Sequence, residues 1–246
     1  MWDEAAVAEV LVLAQAGLNR CEISRRTGVP RTTVRDWLCG KVPSRERRRR
    51  PPLDVREVSP DPYSYLLGVY LGDGCIVHVP RSYQLRVACD ARYAGIVAEI
   101  SAAMAAVMPG HSVRHRLRRT ERCLTISSTS IDWPLLFPQH GPGRKHRRRI
   151  ELVPWQAEIT TAYPRQFVRG LLQTDGTRYV ARQRRHGKVY CYPRYSFSNR
   201  SGDIRRLLIE HLELLEIRCR HANRWNIEIA RREAVAALDD FVGPKR

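Results

Sequence analysis

The chain has 246 residues, of which 43% are hydrophobic, and carries a formal net charge of +18. This length allows one large domain or two smaller ones, and the hydrophobic fraction is sufficient for a core. The positive charge indicates a polyanionic partner, nucleic acid before membrane. The sequence has no apolar run that could span a bilayer and no basic leader, so we expect neither membrane association nor a secretory signal.

Seven cysteines are scattered along the chain, and none belongs to a CxxC pair. An odd number at irregular spacing fits reduced thiols better than a disulfide framework or a zinc site. We therefore expect a cytoplasmic protein. Its positive charge should associate it with the nucleoid.

Three short helices are predicted in residues 1–40, which are neutral because they contain five arginines and five acidic residues. They cover AAVAEVLVLAQAG (5–17), CEISRRTGV (21–29) and PRTTVRDWLCG (30–40), with glycine or proline at their boundaries. The arrangement resembles a helix-turn-helix domain. Its predicted core residues are Ile23, Val29, Val34 and Leu38. The residues expected to face the major groove are Arg31, Thr32, Thr33 and Arg35.

A small helical bundle that contacts another protein is the alternative for this segment, and its neutral charge is compatible with that function. Residues 41–57 then form a predicted basic linker, which contains KVPSRERRRRPP. A run of charge is usually solvated. This one can also follow a phosphate backbone through salt-sensitive contacts.

Two stretches of ten residues share one pattern: YLLGVYLGDG (65–74) and FVRGLLQTDG (167–176). Each contains a glycine, then mainly apolar residues, then Asp-Gly, so that Asp73 matches Asp175. Two copies in one chain indicate an internal repeat. Lysines recur as well, since Lys145 follows the first acid by 72 residues and Lys245 follows the second by 70.

The first stretch predicts a helix that is buried on all sides, yet it ends in Asp73, where the helix dipole disfavours a carboxylate. Small residues four apart let two helix backbones approach closely. They are Gly68 and Gly72 in the first stretch, and Gly170 and Thr174 in the second. Close packing would bring both carboxylates together, where they repel unless a cation lies between them. Mg²⁺ takes one or two carboxylates with water and phosphate oxygens. A plain helix cap would explain one acid, but the matched pair favours a metal site.

The sequence resembles the LAGLIDADG homing endonucleases over roughly residues 58–246, because LLGVYLGDG and VRGLLQTDG match the nine-residue signature of that family. The resemblance implies an α+β fold of two pseudo-symmetric αββαββα repeats, about 58–150 and 151–246, preceded by the small all-α helix-turn-helix domain. The two signature helices would meet at a pseudo-two-fold axis. Two curved antiparallel sheets would form a saddle for double-stranded DNA, in a protein that acts as a monomer.

The resemblance also implies a catalytic set. Asp73 and Asp175 would bind Mg²⁺ or Mn²⁺ beside the scissile phosphates, and Lys145 and Lys245 would assist. The sequence departs from the signature two residues before each acid, where the family often has an acid and this chain has Leu71 and Gln173.

Arginines at strand spacing are the candidates for DNA contact, since alternate residues of a strand share one face. In the first repeat they are Arg114, Arg116 and Arg118, and in the second Arg178, Arg182, Arg184, Arg218, Arg220 and Arg224. An arginine can read guanine or hold a phosphate, and a solvated strand face explains any single one. In FSNRSGDIRRLL, a strand end and a helix capped near Ser201 are predicted, with Asn199 and Arg200 as further candidates.

Two functions follow from these features. The first is a metal-dependent, site-specific endonuclease that cuts both strands of DNA. The second is a non-cleaving transcriptional regulator built on a LAGLIDADG domain, which the added helix-turn-helix favours. Retention of both Asp and both Lys favours cleavage, so we favour the nuclease. An RNA-splicing maturase would use the same saddle, but no feature of the sequence points to one.

Overall fold

The computed structural model describes residues 2, 4–41, 53–118 and 122–245. Its contacts divide the chain into two compact units, Met1–Pro52 and Leu53–Arg246. Most of the predicted linker lies outside the described residues. Among the residues described, no helix combines the length and the apolar character needed to cross a membrane.

The N-terminal unit contains three helices, α1 (Glu4–Gln15), α2 (Arg20–Thr27) and α3 (Arg31–Leu38). Asn19 caps α2 by accepting hydrogen bonds from the backbone N–H groups of its first turn, and Gly28 ends the helix with φ 70°. The core consists of Val7, Val10, Ile23, Val29, Val34 and Trp37. The prediction that Leu38 belongs to this core is wrong. Trp37 fills that space, and Leu38, the last residue of α3, is 38% exposed.

The larger unit consists of two halves with the same order of elements. The first half contains α4 (Pro60–Gly72), β1 (Gly74–Val79), β2 (Ser82–Asp90), α5 (Ala94–Val107), β3 (Val113–Arg118), β4 (Cys123–Ser130) and α6 (Trp133–Leu136). Helix α7 (Pro154–Ala162) connects the halves. The second half contains α8 (Pro164–Asp175), β5 (Gly176–Arg185), β6 (Lys188–Ser198), α9 (Gly202–Leu214), β7 (Arg220–His221), β8 (Asn226–Ile229) and α10 (Arg232–Phe241).

Each half forms one antiparallel sheet of four strands, in the order β1-β2-β4-β3 and β5-β6-β8-β7. Identical strand orders and an identical alternation of helices and strands mean that the chain repeats one αββαββα unit. The predicted fold class, α+β with two such repeats after a small all-α domain, is therefore confirmed.

One hydrophobic core runs through both halves. It includes Leu66 and Leu171 of the two signature helices, and Val87 and Phe197 of the two sheets. Because successive strand residues alternate between faces, each sheet turns one face towards these helices. We call the other side of each sheet its open face.

The hairpins that follow the two signature helices differ in length. Strands β1 and β2 have six and nine residues, whereas β5 and β6 have ten and eleven. Since β6 pairs with β8 only over residues 195–198, the rest of the second hairpin extends beyond the sheet as a two-stranded ribbon.

Candidate active site at the paired helix ends

Helices α4 and α8 touch backbone to backbone at Gly68 and Gly170. A Cβ atom on Gly68 would lie 3.0 Å from the backbone nitrogen of Leu171, and one on Gly170 would lie 2.8 Å from that of Val69. Both would lie closer still to a carbonyl oxygen of the facing helix. Side chains are therefore excluded at this crossing, and one turn later Gly72 packs against Thr174.

Gly170→Ala should therefore destabilise the protein by about 1–3 kcal/mol, because a methyl group forces two packed helices apart. The measurement is urea unfolding of the full chain. Gly202→Ala is the matched control, since Gly202 has only the end of the Arg205 side chain near the added Cβ. Equal stability of the two variants would contradict the close crossing.

The two helices end in the two signature acids. Asp73 is the C-terminal cap of α4, and Asp175 is the last residue of α8. Burial, followed by the negative charge of Asp73, raises the pKa of Asp175 to about 6. Desolvation also raises the pKa of Asp73, against the opposing charges of Lys145 and Lys245. The two carboxylates therefore interact, as two like charges at neighbouring helix ends must.

The structure places both lysines at the ends of the signature helices. Lys145 lies in a 3₁₀ turn (Lys145–Arg147), and its Nζ donates to four carbonyl oxygens, those of Tyr70 (2.5 Å), Leu71 (2.8 Å), Gly72 (2.6 Å) and Gly74 (3.0 Å). Lys245 Nζ donates to the carbonyl of Thr174 at 2.9 Å. The carbonyls of Tyr70, Leu71, Gly72 and Thr174 lie at helix C-termini and carry the negative end of the helix dipole. The lysines therefore offset the same charge that makes the two acids unfavourable there.

Each acid shares a surface cavity with the lysine of the other half. Asp175 and Lys145 line one cavity, and Asp73 and Lys245 line a second one. Burial lowers the pKa of Lys145 to about 8, against the charges of Asp175 and Asp73. Because each lysine binds the helix of its own half and faces the acid of the other, the two halves build both cavities jointly.

Asn199 is a residue of the site that the sequence did not identify in this role. Its Nδ2 donates to Asp175 Oδ2 at 2.6 Å, and its Oδ1 accepts the backbone N–H of Ser201 at 2.7 Å. Ser201 caps α9 as predicted. Gly74 pairs with Val87 and Gly176 with Phe197, so the equivalent residue of the first half is Cys89. In the sequence, the only sign of this function is that Asn199 is a polar residue directly after a predicted strand. Its contact with Asp175 depends on the register of the β5–β6 hairpin, which the sequence does not show.

Gln173, where the sequence departs from the signature, is buried and lines the cavity that holds Asp73 and Lys245. It accepts a hydrogen bond from the hydroxyl of Tyr65 at 2.5 Å and donates to Glu99 at 3.0 Å. Glu99 also accepts from Arg169. The position serves a polar network between α4, α5 and α8 and adds no carboxylate to the site.

The donor set fits a divalent metal. Within the described part of the chain, no group of three or more His, Cys, Asp or Glu side chains could hold a metal ion. Asp73 and Asp175 supply two carboxylates, which suits Mg²⁺ when water and phosphate oxygens complete its shell. Burial and then the charge of Asp73 raise the pKa of Asp175, and a bound cation would favour the ionised form of this carboxylate.

The arginines predicted in the first half lie on its open face. The buried Val87 and Ile126 are paired and turn towards the helices, so their neighbours Arg86 and Ser127 lie on the other side. Arg114 pairs with Ser127 and therefore shares that side. Arg116 and Arg118 follow at alternate positions of the same strand, so their backbone positions are on that side as well. The side chain of Arg118 lies outside the described residues.

The predicted row of arginines on β5 lies on the opposite face from the one expected. Gly176 faces the buried Phe197, so the alternation sends Arg178, Arg182 and Arg184 to the helix side. Arg178 there forms two hydrogen bonds with the carboxylate of Asp239, at 2.7 and 2.8 Å. The polar side chains on the open face of this hairpin are instead Thr177, Tyr179, Gln183, Arg185, Lys188, Tyr190, Tyr192, Arg194, Ser196 and Ser198.

The prediction that Arg218, Arg220 and Arg224 share a strand face is also wrong. Strand β7 contains only Arg220 and His221, so Arg218 precedes it. Arg224 lies in the turn before β8, with its guanidinium 4.4 Å from the ring centroid of Trp225. Asn223 forms that turn, because its Oδ1 accepts the backbone N–H groups of Trp225 and Asn226. Only Arg220 remains on the open face.

In the N-terminal unit, Arg31, Thr32 and Arg35 are exposed on α3, and Thr33 is half-buried. The first three line one concave surface together with Asn19, Arg20, Cys21 and Arg25. Arg35 also pairs with Asp36 at 3.0 Å. The sequence did not identify Arg20 and Arg25, which α2 contributes to this surface.

Residues 1–40 match the family model of a homeodomain-like domain. No curated protein matches the chain. Similar solved structures are LAGLIDADG homing endonucleases. The LAGLIDADG meganuclease I-AabMI bound to uncleaved DNA has 8% sequence identity and a TM-score of 0.46, over 73% of this chain and 83% of that one. The homing endonuclease I-WcaI bound to its DNA recognition sequence has 12% identity and a TM-score of 0.44, over 76% and 83%.

A third LAGLIDADG likeness is to I-SmaMI bound to an uncleaved DNA target in the presence of calcium ions. It has 10% identity and a TM-score of 0.46, over 74% of this chain and 85% of that chain.

Proposed function

We propose that the protein binds double-stranded DNA and cleaves both strands with Mg²⁺ or Mn²⁺ held by Asp73 and Asp175. One observation carries this proposal. Two helices in backbone contact end in two interacting carboxylates, and each carboxylate shares a cavity with a lysine of the other half. Two such sets, related by the internal repeat, would act on the two scissile phosphates of a duplex.

The residues of each set have separate tasks. The carboxylates hold the cation, and the amide of Asn199 fixes the orientation of Asp175. Lys145 and Lys245 place positive charge where negative charge develops on the phosphate. A bound metal would lower the pKa of an attacking water and stabilise the leaving oxygen.

DNA would lie along the open faces of both sheets, where Arg86, Arg114 and Arg185 place positive charge. The internal repeat lets a monomer meet both strands. Residues 1–40 form a helix-turn-helix that adds a second DNA contact through α3. Residues 41–57 are the linker between this domain and the endonuclease-like domain, residues 58–246. We place the protein in the cytoplasm, at the nucleoid.

The decisive experiment incubates the full chain with a randomised duplex library, first with Mg²⁺ and then with Ca²⁺. Cut ends at a common sequence that appear only with Mg²⁺ are the expected result. Selected binding without cut ends in either buffer would overturn the cleavage proposal. That outcome would favour the non-cleaving regulator, for which the homeodomain-like unit is the supporting feature.

Binding should depend strongly on salt, because the net charge of +18 displaces counterions from DNA. Six or more phosphate contacts give a slope of about −5 in a plot of log affinity against log salt. Fluorescence anisotropy with a labelled duplex between 50 and 200 mM salt, about the range over which such contacts lose a thousandfold, measures this slope. A nearly flat plot would contradict a surface that binds phosphates.

A further inference from the structure

The open face of the second sheet is organised around one buried carboxylate, that of Glu228, which is 6% exposed. Its Oε1 accepts hydrogen bonds from the hydroxyl of Tyr179 at 2.8 Å and from Arg194 Nη1 at 2.7 Å. Its Oε2 accepts from Nε of Arg220 at 2.9 Å and also from Nη2. A buried charge needs such partners, because desolvating it alone is costly.

Glu228 is ionised at neutral pH. Burial acts to raise its pKa, but the hydrogen bonds from Arg220, Arg194 and Tyr179 outweigh burial and bring the pKa to about 2. The two arginines are therefore bound to a full negative charge. Charge-assisted hydrogen bonds of this kind are the strongest that side chains form.

The geometry of Arg220 leaves one edge of its guanidinium available. Arg220 lies directly opposite Glu228 in the β7–β8 ladder and contacts it through Nε and Nη2. Of the five N–H groups in the guanidinium, the two on Nη1 and one on Nη2 remain. The side chain is 66% exposed, so this edge meets solvent on the open face. Arg194, at 19% exposure, is held deeper in the sheet.

We propose that Arg220 reads a guanine in the major groove and that Glu228 is the positioning residue that presents it. This inference rests on the proposed DNA binding. Two parallel N–H groups match O6 and N7 of guanine, a pairing that separates guanine from the other bases. A guanidinium that the protein already holds in place loses less conformational entropy when it binds. Discrimination of guanine from the other bases therefore depends on both residues, because Glu228 fixes the plane in which the guanidinium of Arg220 donates its hydrogen bonds.

The other function of an exposed arginine is to hold a phosphate, which carries no sequence information. Arg185 is the matched control for that function. It lies on the same open face, at the end of the ribbon, and is exposed. Removing a phosphate contact weakens binding to all sequences alike, whereas removing a base contact relaxes one position.

The test selects duplexes from a randomised pool with the full-length chain in EDTA, so that cleavage plays no part. The wild type should enrich a site with one invariant guanine in the half bound by the second sheet. In Arg220→Ala, preference at that position should fall by at least tenfold while the other positions persist. In Glu228→Gln, the preference for guanine at that position should fall several-fold, while affinity for unrelated DNA should be no lower than that of the wild type. Arg185→Ala should weaken binding to every sequence.

Three results would overturn the proposal. Uniform weakening in Arg220→Ala would make this residue a phosphate contact. An unchanged guanine preference in Glu228→Gln would remove the positioning function. Failure of the wild type to enrich any sequence would instead contradict the proposed DNA recognition itself. Arg220→Lys provides a second variant that keeps the charge. It replaces the planar guanidinium that Glu228 holds through Nε and Nη2 with a flexible ammonium, so the preference for guanine should fall.

Discussion

Asp73→Asn and Asp175→Asn should each reduce double-strand cleavage by at least a thousandfold and leave DNA affinity in EDTA within a few-fold. Asparagine nearly preserves the shape of the side chain and removes the charge that holds the metal. In Asp175→Asn the amide of Asn199 can still donate to the new carboxamide oxygen, so the local structure persists. The measurement is plasmid linearisation on a selected target, with nicked and linear products quantified separately.

Stability separates loss of the metal site from loss of the fold. Each Asn variant should be at least as stable as the wild type in metal-free buffer, because it removes one of two interacting charges. Asp240→Asn is the matched control. Asp240, on α10, is exposed and its carboxylate lies 3.7 Å from Arg165. It lines neither cavity of the two signature acids, so cleavage by this variant should be normal. Undiminished cleavage in both signature variants would remove these carboxylates from the reaction.

The sequence predicted the central features because they are local or repeated. Two strings with glycine and Asp at matched positions predicted two helices in close contact, and the backbone approach at Gly68 and Gly170 is what the structure has. Small residues one helical turn apart leave few other packings. The fold class followed from the family resemblance, and the identical strand orders of the two sheets confirm it.

Features that depend on register could not be predicted in the same way. A shift of one residue moves every side chain of a strand to the other face. The pairing of Gly176 with Phe197 decides that Arg178 turns towards Asp239 and that Asn199 reaches Asp175. No local pattern fixes that pairing, since the partners lie more than 20 residues apart.

The lysines show a second limit of the sequence. Their spacing marked Lys145 and Lys245 as a pair, but not the carbonyl oxygens that they bind. The two sites also differ in a way that the repeat conceals, because Lys145 binds four carbonyls and Lys245 binds one in the described structure. Equivalent positions in a diverged repeat need not have equal energies.

This difference leads to the last expected result. Lys145→Met should destabilise the protein by about 2–3 kcal/mol, because it leaves several half-buried carbonyl oxygens at the end of α4 without their charged donor. Lys245→Met removes one such hydrogen bond and should cost about 1 kcal/mol. Urea unfolding of both variants measures the two values. Equal losses would contradict the four-carbonyl contact of Lys145.

Both lysine variants should nevertheless slow cleavage more than binding, because each lysine faces the acid of the other half across its cavity. The comparison is single-turnover cleavage at saturating DNA, at a temperature where both variants are folded. Lys145 shares its cavity with Asp175, so Lys145→Met should slow mainly cleavage of the strand that Asp175→Asn also protects. By the same reasoning, Lys245→Met should slow mainly cleavage of the strand that Asp73→Asn protects. If Lys145→Met instead protects the strand that Asp73→Asn protects, and Lys245→Met the strand that Asp175→Asn protects, the crosswise pairing of acids and lysines is wrong, and each lysine acts through the helix that it caps.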